Sequence, residues 1–369
     1  MVSNLKIHFW NISGYVNINL ETKKFLLEKI LEKFSINKFS KKIRISGVAL
    51  SSFLKNENSF IRINNLLNIL SKLNISRKSV EGDIILYRDT SSKEPFFIKF
   101  PYFLSPLDIR IMGVLIGDGN VHKDMIRWIQ KDPTPLKHLI EKVLGGDVIL
   151  NINKTQIVIP SFFKKILCFS FDLEPNLLAS EKFIKKTLEL SDKYCLALLI
   201  AIIEDEGNID PKNYGGILIR MSSKEIMFAI KKLCDHLNYK SSQIKCYKNS
   251  GFGDNTMYRL TILSDGIKKL GCDLLKLKRK YGKEIGFWKK EDQFNRRWKI
   301  CINKKAEKNR KGREIHNELK NLFIKYENLS PLQLSEILQI DHSRIYDLIR
   351  NMHKRNEIKR IGKGIYAKN

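Results

Sequence analysis

Ile111-Met112-Gly113-Val114-Leu115-Ile116-Gly117-Asp118-Gly119 and Leu199-Ile200-Ala201-Ile202-Ile203-Glu204-Asp205-Glu206-Gly207 are two versions of one phrase: an apolar run with a small residue early, then an acid, then glycine. The final acids, Asp118 and Glu206, stand 88 positions apart, far enough for each to head its own compact α/β unit. A helix that is apolar on every side is buried on every side. Gly113 and Gly117 are four apart, so they share one helix face and let a second helix come close; Ala201 is the matching small residue in the other copy. Gly119 and Gly207 suit the left-handed residue that ends a helix. The acids then fall at helix C-termini, where the macrodipole is already negative and each carboxylate costs about 0.3–1 kcal/mol. Two such ends brought together need a cation between them. Mg2+, a hard ion that keeps several waters and needs only one or two carboxylates, fits that need. Either stretch alone reads as a turn after a buried helix; it is the repetition that points to paired units and a shared site.

The same order follows each copy. After Gly119 come a strand at Met125–Gln130, a helix at Thr134–Leu144, strands around Val148–Ile152 and Gln156–Ile159, and a helix from Ser161. After Gly207 come a strand at Ile217–Met221, a helix at Lys224–Leu237, strands near Gln243–Tyr247 and Met257–Leu263, and a helix near Gly266–Leu275. The two runs, with this order around them, resemble the paired signature of the LAGLIDADG homing endonucleases over roughly Leu107 to Leu275. The resemblance implies an α+β fold of two pseudo-symmetric αββαββα repeats in one chain, a monomeric pseudo-dimer whose sheets lie as a saddle along double-stranded DNA. It further implies site-specific, Mg2+-dependent phosphodiester hydrolysis, with Asp118 and Glu206 as the catalytic, metal-binding acids. Gln130, Lys154, Arg220 and Lys245 are the candidates for phosphate or water contacts. Two features depart from the family. Only Asn120 to Asp124 precede the second strand of the first copy, a short hairpin for reading a groove, and Ile159-Pro160 and Leu263-Ser264 lack the basic residue often found after the fourth strand. A DNA-binding transcriptional regulator on the same fold without cleavage is therefore the alternative, and an RNA splicing maturase a third.

The composition agrees with a nucleic-acid partner. A net charge of +28 and a pI near 9.7 are too basic for an ordinary enzyme of small acidic substrates. The wealth of Lys, Ile and Asn reads as the mark of an AT-rich genome, which inflates the bulk charge, so local clusters carry more weight. No run approaches the roughly 18 apolar residues of a membrane span, and Met1 to Lys6 lack a signal-peptide layout. A cytoplasmic protein with no membrane partner is expected. The cysteines at 168, 195, 234, 246, 272 and 301 form no Cys-x-x-Cys pair and read as reduced thiols rather than zinc ligands.

Five regions follow: 1–104, 105–190, 191–275, 276–312 and 313–369. In the first, Thr22–Phe34 reads as an amphipathic helix. The stretches 43–54 and 62–73 read as a helix, turn and helix, either a generic hairpin or a helix-turn-helix presenting Ser46, Ser51, Ser52 and Lys55. Regions 105–190 and 191–275 hold the two repeats, the first opening at Ser105-Pro106, a cap followed by proline. Lys276–Arg313 carries 16 Lys or Arg against 4 acids over 38 residues, interleaved with Phe287, Trp288, Phe294 and Trp298; it reads as a partly helical bridge touching phosphates. The last region reads as a winged helix. Its third helix shows His342, Ser343, Arg344, Asp347 and Arg350 outward, and a hairpin wing carries Lys359, Arg360 and Lys363. Arg344, Arg350, Lys359, Arg360 and Lys363 are the expected DNA contacts.

Overall fold

The computed structural model describes residues 5–89, 94–122, 125–145, 152–153, 155–209, 216–247, 256–326, 328–338, 340, 342–362 and 364–369. They form an α+β protein of two compact units, Met1–Trp298 and Lys299–Asn369. Among them no helix is long and apolar enough to cross a membrane.

The first unit begins with β1 (Lys6–Ile7), β2 (Tyr15–Ile18), α1 (Leu20–Leu31), α2 (Ile36–Ile43), α3 (Gly47–Lys55), β3 (Ile61–Arg62), α4 (Ile63–Lys72), α5 (Arg77–Glu81), β4 (Ile84–Arg88) and β5 (Tyr102–Phe103). Strands β3, β2 and β4 form an antiparallel sheet in that order. Leu26, Ile30, Phe39, Ile43, Leu50, Phe53, Leu66 and Ile69 are buried at helical spacing. The tight helix pair lies one helix earlier than the sequence suggests. It is α2 and α3, separated by Arg44-Ile45-Ser46, whereas 43–54 and 62–73 are kept apart by Asn56–Phe60 and β3. Arg44 adopts the left-handed conformation (φ 57°, ψ 43°), which ends α2 and turns the chain at once. Three lysines within α2 hide its narrow apolar stripe, Ile36, Phe39 and Ile43, from a reading of the sequence.

Next come α6 (Pro106–Met112), a single 3-10 turn at Gly113–Ile116, β6 (Gly119–His122), β7 (Met125–Ile129), α7 (Thr134–Leu144), β8 (Ile152–Asn153), β9 (Gln156–Ile159), α8 (Ser161–Phe171), α9 (Glu181–Leu188) and α10 (Asp192–Glu206). Then follow β10 (Gly207–Asn208), β11 (Ile217–Met221), α11 (Lys224–His236), β12 (Lys245–Tyr247), β13 (Met257–Ile262) and α12 (Ser264–Tyr281). One four-stranded sheet runs β6-β7-β9-β8 and the other β10-β11-β13-β12, the same order with every neighbour antiparallel. Period-two burial sends Ile126, Trp128, Ile157 and Ile159 inward in the first, and Ile217, Ile219, Leu260 and Ile262 inward in the second. Ser105 opens α6 with a capping box: its backbone N–H donates to Asp108 Oδ2 at 2.7 Å.

α6 and its 3-10 continuation pack against α10. A Cβ at Gly113 would lie 2.5 Å from Cβ of Ala201, and one at Gly117 would lie 2.5 Å from Cβ of Asp205, so the two small positions do mark the crossing. The expectation for Gly119 and Gly207 is corrected. Neither ends a helix in the left-handed region; each is the first residue of a strand, and Gly207 is extended at φ −82° and ψ 138°. Their requirement is space: a Cβ would stand 2.7 Å from the carbonyl oxygen of Val114 at Gly119, and 2.5 Å from that of Ile203 at Gly207.

The basic stretch is divided. As far as Trp298 it is folded into the first unit, with Phe287, Phe294 and even Arg297 buried and Trp298 filling the space above Gly271. In the second unit, the later part of α13 (Glu291–Lys325) is followed by α14 (Pro331–Leu338), α15 (His342–Lys354), β14 (Ile358–Gly362) and β15 (Ile365–Lys368). Leu319, Phe323, Leu334, Ile345, Ile349, Met352 and Ile358 form its core, and Leu329 bridges to Tyr366 beside the hairpin.

A candidate site at the paired helix ends

Asp118 and Glu206 come to one place because the helices that precede them cross at Gly113 and Ala201. The charge of Asp118 acts on both Asp205 and Glu206. Asp118 is exposed and accepts a hydrogen bond from Gln130 Nε2, just after β7. Glu206 is half-buried; burial, then the charge of Asp118, raise its pKa, while Lys290 and Lys289 pull it back. Beside it, burial pushes Asp205 up to about 7, with Arg110 opposing and Asp118 adding to the rise. Asp205 Oδ2 accepts from Trp128 Nε1 at 3.3 Å.

A cation of the chain itself stands at one of the two helix ends. Lys290 Nζ donates to the carbonyl oxygens of Ile203 (2.9 Å), Asp205 (3.4 Å) and Gly207, capping the C-terminus of α10 where a positive charge is favoured. Lys289 Nζ donates to Gln130 Oε1 at 2.8 Å, and Gln130 in turn donates to Asp118. This pair of lysines is held by Glu204, which is 1% exposed. Its carboxylate accepts from the backbone N–H of Trp288 (2.9 Å) and of Lys289 (3.1 Å), so the buried charge is satisfied. Arg110, also fully buried, lies with its guanidinium carbon 3.7 Å from the ring centre of Trp288 and donates to the carbonyl of Gly286 at 3.2 Å. Burial lowers its pKa to about 10 against the pull of Glu204 and Asp205. Trp288 meets Trp128 edge to face at 5.7 Å.

Sequence reasoning did not bring Arg110, Glu204, Asp205, Lys289 and Lys290 to the site, and assigned Trp288 to a bridge touching phosphates. The available signals were a lone arginine inside an apolar helix and three consecutive acids where the resemblance uses one. Several polar groups of this cluster have partners within the chain. Asp118 is engaged by Gln130, the carbonyls around Glu206 by Lys290, and among the described residues no three His, Cys, Asp or Glu side chains converge.

The other expected contacts are placed as follows. Arg220 on β11 and Lys245 on β12 lie opposite the same residue of β13, Arg259, on the open face of the second sheet. Arg220 and Lys245 are exposed and Arg259 is half-buried, its guanidinium 5.8 Å from the ring of Tyr247. This row lies on the sheet face, and since Gly207 pairs with Ile219, Arg220 stands one position along β11 toward the side of Glu206. Arg350, Lys359 and Arg360 are exposed in the second unit, on α15 and β14. Lys154, Lys363 and the side chain of Arg344 lie outside the described residues.

No family model and no curated protein match the chain. Among solved structures it is similar to full-length DUF199/WhiA from Thermatoga maritima, at 14% identity and a TM-score of 0.30, covering 69% of this chain and 92% of that one. These comparisons correct the identification with the LAGLIDADG homing endonucleases. A chain matched by no family model is not assigned to that family by two degenerate signatures, and helix packing and strand entry account for the glycines in them.

Proposed function

We propose that the chain is a double-stranded DNA-binding protein of the regulator type, which holds its duplex without cutting it. In this reading the two sheets are repeats of one αββαββα plan related by the α6–α10 crossing, and the second unit is a winged helix. The observation that carries it is the row Arg220, Arg259 and Lys245, in register across three strands. Like charges directly opposite one another destabilise a sheet, and a polyanion laid along the face removes that cost. Phosphates supply the charge at the right density, and neutralising them releases counterions, which makes the affinity salt-dependent. Arg350, Lys359 and Arg360 add a second cationic surface on a helix and hairpin suited to a groove.

Binding is favoured over hydrolysis because Lys290 and Lys289 already occupy the electrostatic role that catalytic metals would fill. The test is to titrate the full-length protein with a pool of random duplexes at rising salt in the presence of Mg2+, then to sequence what is retained and to look for new ends. Salt-dependent retention of intact duplex is expected. Specific cleavage of the selected duplex, or no salt-dependent binding to any duplex, overturns the reading.

A further inference from the structure

The N-terminal helix pair carries another cationic surface that neither the sheets nor the C-terminal hairpin involve. From Lys33 to Lys55 the sequence holds Lys33, Lys38, Lys41, Lys42, Arg44 and Lys55 and no acid at all. All six are exposed, and among the described residues none forms an ion pair; Lys42 lies 4.1 Å from the centre of the Phe34 ring. A solvated surface with no particular partner would ordinarily mix both signs. The helix geometry is equally specific. α2 ends at left-handed Arg44, and α3 begins three residues later with Ser46 as its cap, its Oγ accepting from the N–H of Ala49. The two helices meet closely, since a Cβ on Gly47 would lie 2.9 Å from Asn37 Oδ1. α3 buries Leu50, Phe53 and Leu54 and presents Val48, Ala49, Ser52 and Lys55, with Val48 81% exposed.

We infer that α2 and α3 form a further duplex-reading head, with α3 lying in the major groove of DNA and the lysines of α2 with Arg44 on the flanking phosphates. The outward residues of α3 have the chemistry for base edges: a bare Val48 and Ala49 for thymine methyl groups and Ser52 for either hydrogen-bonding sense. The short turn between the helices is that of a helix-turn-helix, whose second helix reads the groove from its N-terminal residues. This inference rests on observations separate from those behind the cation row of the second sheet.

The experiment uses the full chain in two variants. The first is Lys38→Gln, Lys41→Gln, Lys42→Gln and Arg44→Asn together, asparagine being chosen because it tolerates φ 57°. The second is Val48→Glu, which alters an exposed side chain in the first turn of α3, where an acid favours the helix, so the fold stays intact. Each is measured against a duplex selected from a random pool and against an unrelated duplex. The first variant should flatten the salt dependence by about 0.9 for each phosphate no longer neutralised, on both duplexes. Val48→Glu should reduce preference for the selected duplex about tenfold or more, the scale of one or two mismatched base pairs. Unchanged salt slope and unchanged preference in these variants overturn the inference, as does stronger binding to RNA of the same sequence. A separate variant, Arg220→Gln with Arg259→Gln and Lys245→Gln, isolates the sheet. If it keeps the wild-type slope while the four-site N-terminal variant flattens and Val48→Glu loses preference, the reading of the sheet fails and this one stands.

Discussion

The two four-stranded sheets share one strand order and differ in what they show to solvent. The second carries Arg220, Arg259 and Lys245 side by side, with Tyr247 against the middle arginine. The first, in the equivalent inner strand, carries Arg127 opposite Asn120 and Val158, and beyond it Ile129, 56% exposed, opposite Gln156. The acids differ in the same sense: Asp118 is open, whereas Glu206 sits half-buried under the Lys290 cap. The strand order is the same in the two sheets and the surface chemistry is not. On the proposed reading the second half supplies the phosphate grip, and the first lies against the duplex with few charges.

Three sets of substitutions can break or sharpen that contrast. The largest effect is expected from Arg220→Gln, Arg259→Gln and Lys245→Gln combined. With three phosphates no longer neutralised, the log–log salt slope flattens by about 2.7 and low-salt binding weakens by roughly 10–100-fold. Arg127→Gln, the counterpart in the first sheet, should change the slope by less than about one unit. A filter-binding series in which the single variant equals the triple one removes the asymmetry.

The next effect is on stability and concerns the join between the halves. Gly113→Leu drives a side chain into Ala201, already 2.5 Å from where a Cβ would stand. A loss of about 1–3 kcal/mol is expected, read as a fall in Tm. Gly82→Ala, where nothing lies within 4 Å of the added carbon, is the control and should leave Tm within about a degree or two. An unchanged melt for Gly113→Leu would mean the helices cross elsewhere.

The last effect is a dependence on pH, spread over about three pH units. Asp205 has its pKa raised to about 7 in the folded protein, from 3.8 unfolded. Between those values the native state holds the extra proton, so stability falls as pH rises from about 4 to about 7 and is level above that. The change is bounded at a few kcal/mol, since one pKa unit is about 1.4 kcal/mol. Asp205→Asn should flatten urea midpoints across this window. If the wild-type midpoint instead rises with pH there, and the variant leaves the trend intact, the covered and open acids of the two halves do not differ as described.

Much of the central architecture was readable because the unbroken apolar run Leu196 to Ile203 is buried on all sides, and because Leu260 and Ile262 alternate with the half-buried Arg259 and Thr261 in β13. β6 and β10 were not: one is four residues and the other two, and both open on a glycine that reads as a helix stop. α12 runs on to Tyr281 through Lys276, Lys278, Arg279 and Lys280, because Leu274 and Leu277 keep its inner face buried beneath the charges. The acids were legible and the answer to their charge was not. Lys290 reaches Ile203 across 87 positions, and no local spacing announces such a contact.

Gly119 and Gly207 have a consequence for how such proteins are recognised. Each is glycine because the strand leaves so close to the preceding helix that a methyl group would strike main-chain carbonyl oxygen. That restriction acts equally on a chain that cuts and a chain that only binds. A search keyed to small-apolar-acid-glycine phrases therefore retrieves in part a way of threading a helix into a sheet, and the glycine would persist whatever became of the acid before it. On the proposed reading, what distinguishes this chain lies off the phrase, in residues such as Trp288 to Lys290 that arrive from another part of the chain.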